Sequence, residues 1–121
     1  MTLQGTILFA HGSRDPLWAK PAEAIAQRVR ALDPARRVAC AFLEMTEPDI
    51  KTCAADMASQ GVDHINVVPL FLGVGKHARE DLPLLMADLQ AAYPHIAFSL
   101  QGAVGEDERL VDLIAQIALA P

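Results

Sequence analysis

The chain has 121 residues, 52% of them apolar, and a formal net charge of −5 at pH 7. That length and apolar share fit one compact domain with a real core, residues 1–121, and the acidic balance without a basic stripe excludes nucleic acid or an anionic membrane surface as partner. No apolar run approaches the ~20 residues of a membrane span, and no basic region or small-residue cleavage pattern accompanies the first apolar stretch, so a cytoplasmic protein is expected.

The first apolar run, Gly5–Ala10, predicts a strand covered on both faces, and His11 stands where it runs out, in Ala10-His11-Gly12-Ser13-Arg14-Asp15-Pro16. Ala22, Ile25, Ala26 and Val29 then follow the i, i+3, i+4, i+7 spacing of a helix, with Pro21 in its first turn and Leu17 and Trp18 in or just beyond the preceding loop. A second strand, Arg37–Leu43, leads to Glu44. Thr46-Glu47-Pro48-Asp49 has the form of a capping box for the next helix, whose stripe is Ile50, Cys53, Ala54 and Met57 and whose C-cap is Gly61. Cys40 on the strand and Cys53 on the helix form no C-x-x-C pair and read as small buried hydrophobes.

Asp63–Leu72 predicts the third strand, with Pro69 inside it; a proline gives no N–H to the ladder, so a bulge or local distortion is expected there. Gly73-Val74-Gly75-Lys76-His77 follows as a loop, then a helix striped by Leu82, Leu85, Met86 and Leu89. After Pro94 come a fourth strand, Ile96–Leu100, a connection punctuated by Gly105, and a last helix striped by Leu110, Leu113, Ile114 and Ile117. Four βα units in series, joined by right-handed crossovers, predict a flavodoxin-like, doubly wound parallel sheet of order 2-1-3-4 with helices on both faces. In that order strands one and three are neighbours at the topological switch point, and His11 and His77 share the carboxyl edge where ligands bind.

Paired imidazoles at such an edge point to divalent metal or to acid/base chemistry. Glu44, from the neighbouring strand, can orient an imidazole, ligate a metal or take a proton. Glu47 belongs with the helix N-terminus, and His64 and His95 lie at the opposite edge, where a structural reading holds. Gly73-Val74-Gly75-Lys76-His77-Ala78 matches G-x-G-x-x-A, but it follows the third strand and no acidic residue sits at the end of the next strand to hold a ribose. Walker A fails because Leu70 replaces the first glycine and His77 the hydroxyl residue. There is no G-x-S-x-G elbow, and Ala10 stands where a phosphohistidine enzyme would want arginine. Arg14, Lys76 and Arg79 cluster near the same edge; either they are ordinary solvated loop charges or the ligand carries carboxylates.

At these residues the chain resembles the small CbiX/SirB class II chelatases: Phe9-Ala10-His11-Gly12-Ser13-Arg14-Asp15-Pro16, then Phe42-Leu43-Glu44 with Pro48, then Pro69-Leu70-Phe71-Leu72-Gly73-Val74-Gly75-Lys76-His77 with Asp81-Leu82-Pro83. The resemblance spans nearly the whole chain. It implies a chelatase-like fold and insertion of a divalent metal, the substrate rather than a resident cofactor, into the tetrapyrrole sirohydrochlorin. It also implies that His11 and His77 are the active-site histidines that hold the metal, with Glu44 at a carboxylate position. A histidine-rich tail found in some members is absent here. Arg14, Lys76, Arg79 and the backbone N–H groups of Gly12 and Ser13 are then the expected binders of the substrate's carboxylates. Trp18, Leu17, Phe71 and Leu72 become candidates for an apolar wall against the macrocycle.

The longer relatives implied by this resemblance carry two similar halves, so a two-fold homodimer is expected of a single half. Co2+ is the first expectation for the metal, Fe2+ the second and Ni2+ the third; imidazole suits all three. A non-catalytic tetrapyrrole or metal carrier is the competing class. A flavodoxin-like cofactor module is disfavoured, because the loop after the first strand lacks a hydroxyl-rich phosphate cradle.

Overall fold

The computed structural model describes residues 2–121. Gln4–Ala10 forms β1, in which Gly5 through Phe9 are all buried, as an apolar run flanked on both sides and covered on both faces must be. β2 (Arg37–Phe42) and β3 (His64–Pro69) pair with it in parallel, and β4 (Ala97–Leu100) pairs with β3, so the sheet order is β2-β1-β3-β4. The helices are α1 (Lys20–Leu32), α2 (Ile50–Ser59), α3 (Lys76–Ala92) and α4 (Glu108–Leu119), the last preceded by a 3-10 turn at Val104–Glu106. The expected four βα units and strand order are therefore present.

The pleat sends alternate residues to opposite faces, and the two faces differ. On one, Ile7, Phe9, Ala41, Ile65 and Val67 pack with Ile50, Cys53, Ala54 and Met57 of α2 and with Ala78, Leu82 and Leu89 of α3 in a continuous buried cluster. Burial pushes the Cys53 thiol up to about 11 and raises that of Cys40, as befits apolar filler rather than a reactive pair. On the other face α1 covers Leu8 and Phe42 with Ala22 and Ala26. Leu110 of α4 borders a cleft on that second side, and α4 has no buried residue.

Four local expectations need correction. β3 stops at Pro69 rather than running to Leu72, and its register against β1 is unbroken from Gln4↔His64 to Phe9↔Pro69, so there is no bulge. The Leu70 N–H points to β1, where it donates to the Phe9 carbonyl at 2.7 Å; the nitrogen of Pro69 therefore faces β4, beyond the last β4 pair, Val67↔Leu100, and no ladder bond is lost. Secondly, the N-cap of α2 is Asp49, whose carboxylate accepts from the Thr52 N–H; hydrogen bonding by the Thr52 side chain, then by its backbone, holds the Asp49 pKa below the usual range. Thr46 is engaged elsewhere. Thirdly, α3 starts at Lys76, so His77 lies in a helical first turn and not in a loop. Pro83 sits inside that helix, where proline ordinarily costs ~3 kcal/mol. Finally, Glu44 lies two residues beyond the end of β2. Gly61, at φ +84°, follows α2 in the left-handed conformation expected of its C-cap.

Candidate active site

β1 delivers His11 to the carboxyl edge of the sheet, and β3 leads through Leu70–Gly75 to His77 in the first turn of α3, at the same edge. The loops around His11 are held by specific contacts. The Leu43 N–H donates to the Ala10 carbonyl at 2.9 Å, and the Thr46 hydroxyl both accepts from the Ser13 N–H at 2.8 Å and donates to the Ser13 carbonyl at 2.7 Å. Gly12 makes this approach possible, because a Cβ there would land on the Glu44 carbonyl. The turn at Glu44 is itself tight: the Thr46 N–H donates to the Glu44 carbonyl at 2.7 Å across Met45, a non-glycine residue at φ +61°. The backbone of Glu44 is thereby fixed against the loop that carries His11.

Two aromatic residues position His11 itself. The Trp18 indole N–H donates to the His11 carbonyl at 2.6 Å, and the buried Phe71 ring lies against the imidazole with centroids 4.4 Å apart. Phe71 is anchored in turn, since its carbonyl accepts from the Gly105 N–H at 2.9 Å, and a Cβ on Gly105 would overlap the Leu72 backbone. Neither role was visible in the sequence. Trp18 and Phe71 stood out there only as candidates for an apolar wall, and Gly105 only as punctuation, because tertiary partners far along the chain leave no periodic signal.

His11 lines an apolar cleft of about 630 Å³ on the α1–α4 side, together with Trp18, Ile25, Leu70, Leu72 and Leu110. Of the four expected wall residues, Trp18 and Leu72 border this cleft, Phe71 is core beneath His11, and Leu17 is exposed outside it. Glu44 lines a separate groove running from Phe42 to Thr52. His77 and Lys76 are exposed at the start of α3, whose N-cap, Gly75, has no side chain to satisfy the first N–H groups. Arg79 donates from its guanidinium to the Val74 carbonyl at 3.1 Å, and Arg14 is exposed in the β1 loop. The Ser13 N–H is taken by Thr46, which leaves the other expected groups to meet an anion. Among the described residues no group of three or more His, Cys, Asp and Glu side chains is arranged to hold a metal ion. His64 and His95 lie at the other edge, His64 bonded to Ser99 at 3.3 Å and His95 beside Tyr93.

The model of the CbiX family matches residues 5–119. The sirohydrochlorin cobaltochelatase of Methanopyrus kandleri is 36% identical over 80 residues, covering 66% of this chain and 56% of its own. The sirohydrochlorin ferrochelatase of Bacillus subtilis is 32% identical over 111 residues, covering 92% of this chain and 42% of its own. The chain thus spans about half the length of these curated relatives. Among solved structures, the CbiX protein of Marinobacter aquaeolei superposes with a TM-score of 0.83 at 32% identity, over 95% of this chain and 93% of that one.

Proposed function

The chain belongs to the CbiX family, and from that premise we propose that it inserts a divalent metal into sirohydrochlorin, with Co2+ the first candidate and Fe2+ and Ni2+ behind it. The observation that carries this reading is the meeting of the β1 and β3 connections at one edge, with His11 fixed by Trp18 and Phe71 at the mouth of an apolar cleft. The relatives named for cobalt and for iron support the reaction class and leave the metal open.

In this reading the imidazoles of His11 and His77 take up the incoming ion. Two protein ligands leave most of its coordination positions open, so the ring nitrogens of the macrocycle can displace them one after another, whereas a closed four-ligand site would hold the ion permanently. The pyrrole N–H protons must leave as the metal enters, and an imidazole freed of metal can receive one; Glu44 acts as orienter or auxiliary base from the adjoining loop. Trp18 and Leu72 give the macrocycle an apolar surface to lie against. Lys76, Arg79, Arg14, the Gly12 N–H and the free N–H groups at the start of α3 face the edge where its carboxylates would fall.

The test is spectroscopic. Purified protein with excess sirohydrochlorin and each of Co2+, Fe2+ and Ni2+ is expected to shift the macrocycle's absorption faster than the spontaneous reaction through many turnovers. A shift that stops at one equivalent of protein would assign the chain to the carrier class instead.

A further inference from the structure

The amino edge of the sheet, at the end opposite His11, carries a second cluster of polar side chains around the start of β2. The chain holds fifteen Asp and Glu against ten Lys and Arg, yet three of those ten, Arg30, Arg36 and Arg37, line one cavity of about 390 Å³ together with a single carboxylate, Asp56. The charge there is reversed against that of the whole chain. Arg36 is tied into the fold: it pairs with Asp33 at 3.2 Å and donates to the Thr6 hydroxyl and the Gln4 side-chain oxygen. Arg30 and Arg37 differ from it. Among the described residues neither forms an ion pair, and each is held by one neutral oxygen. Arg30 donates from Nη2 to the Val38 carbonyl at 3.1 Å, and Arg37 from Nε to the Gln60 Oε1 at 3.0 Å. The Asp56 carboxylate accepts from the Gln60 side-chain amide at 3.2 Å, so it orients the group that holds Arg37 instead of meeting the guanidinium. These bonds fix both side chains and leave two nitrogens of each guanidinium without a protein partner.

The strand between the two arginines adds a donor. The Phe42 N–H leaves the sheet for the Pro48 carbonyl, whereas the Leu43 N–H reaches Ala10 of β1, so by alternation along β2 the Val38 N–H also turns away from β1. A peptide strand is not accommodated on this edge, because Arg30 covers the Val38 carbonyl, the Cys53 thiol the Cys40 carbonyl and Pro48 the Phe42 N–H. We propose that the cavity binds the phosphoryl group of a small metabolite, clamped between Arg30 and Arg37. Arg30 comes from α1 and Arg37 from the side of α2, so the two guanidinium groups approach from opposite faces of the sheet. Donors so placed suit a tetrahedral oxyanion, which accepts from several directions, better than a carboxylate, whose acceptor sites lie in one plane. Two guanidinium charges match a phosphate dianion, and Pro34, Val38 and Met57 give the organic part of the ligand an apolar wall. The inference is independent of the chelatase reading, since no residue of the His11 edge takes part.

Titration of the isotope-labelled full chain with inorganic phosphate, followed by amide NMR at low ionic strength and about pH 8, where phosphate is a dianion, tests it. Saturable shifts are expected at Val38, Ala39 and Gln60, with a Kd of about 1 mM or below. Arg30→Gln and Arg37→Gln are each expected to weaken binding about tenfold while amides away from the cavity keep their positions. Arg28→Gln, which removes an α1 cation outside the cavity, is expected to leave the affinity unchanged. Shifts confined to the start of α3, shifts that climb without saturating, or an affinity unmoved by Arg37→Gln would overturn the proposal. Malonate binding more tightly than phosphate would overturn the assignment to a phosphoryl group.

Discussion

On the α2–α3 face of the sheet Ile7, Ile65 and Val67 are fully buried, whereas on the α1–α4 face Ile114 and Ile117 of α4 are 41% and 64% exposed and a cleft opens over Leu8 and Val68. Both faces are built from the same kinds of side chain. The closed one is covered by α2 and α3, so its apolar area is removed from water within one chain; the open one leaves apolar area uncovered. The densest packing and the open cleft thus lie on different sides of one sheet, with His11 on the open side and the buried Phe71 linking the two.

Substitutions that act on one side and spare the other sharpen this contrast. The largest stability effect belongs to the closed face: Ile65→Ala leaves a cavity among side chains that cannot collapse around it and is expected to cost about 2–5 kcal/mol in urea unfolding. On the open face, Ile25→Ala is expected to cost less than about 1 kcal/mol in the monomer, and equal costs at the two sites would break the distinction. Gly12→Ala places a methyl group on the Glu44 carbonyl, forces the β1 and β2 loops apart, and is expected to lower stability by roughly 1–3 kcal/mol while slowing chelation disproportionately. Trp18→Phe removes the indole donor from the His11 carbonyl with little change of shape, with an expected loss of about 1 kcal/mol in the same unfolding assay.

The smallest effect is a pH dependence of α4. The hydrogen bonds from Arg109 hold the Asp107 carboxyl at about 2, below its unfolded value, so the cap's contribution is complete above the ordinary carboxylate range and fades as pH falls through about 2. Helicity of α4, followed by amide exchange, is expected to hold down to pH ~4 and to fray between there and pH ~2; Asp107→Asn removes that dependence.

Much of this architecture was legible in the sequence. Alternation of short apolar runs with helical stripes predicted the strands, helices and sheet order, because each pattern matches the period of the backbone that carries it. What escaped were places where a distant partner outweighs a local motif. Thr46 has the form of a cap but bonds Ser13 33 residues away, and His77 read as a loop residue although α3 already begins at Lys76. The stripe of α4 looks like those of the other helices, since a stripe says that a face seeks apolar cover and not where that cover is. His11, His77 and Glu44 stand out in the sequence as candidates from their positions after strands, while the aromatic support of His11 needed the folded chain.

The most direct measurement is the rate of metal insertion into sirohydrochlorin by His11→Ala and His77→Ala, with thermal unfolding recorded on the same preparations. Both residues are exposed beyond the sheet, so the account predicts at least a ~100-fold loss of turnover in each variant with the unfolding midpoint unchanged. Turnover that survives either substitution would contradict metal transfer through this pair of imidazoles.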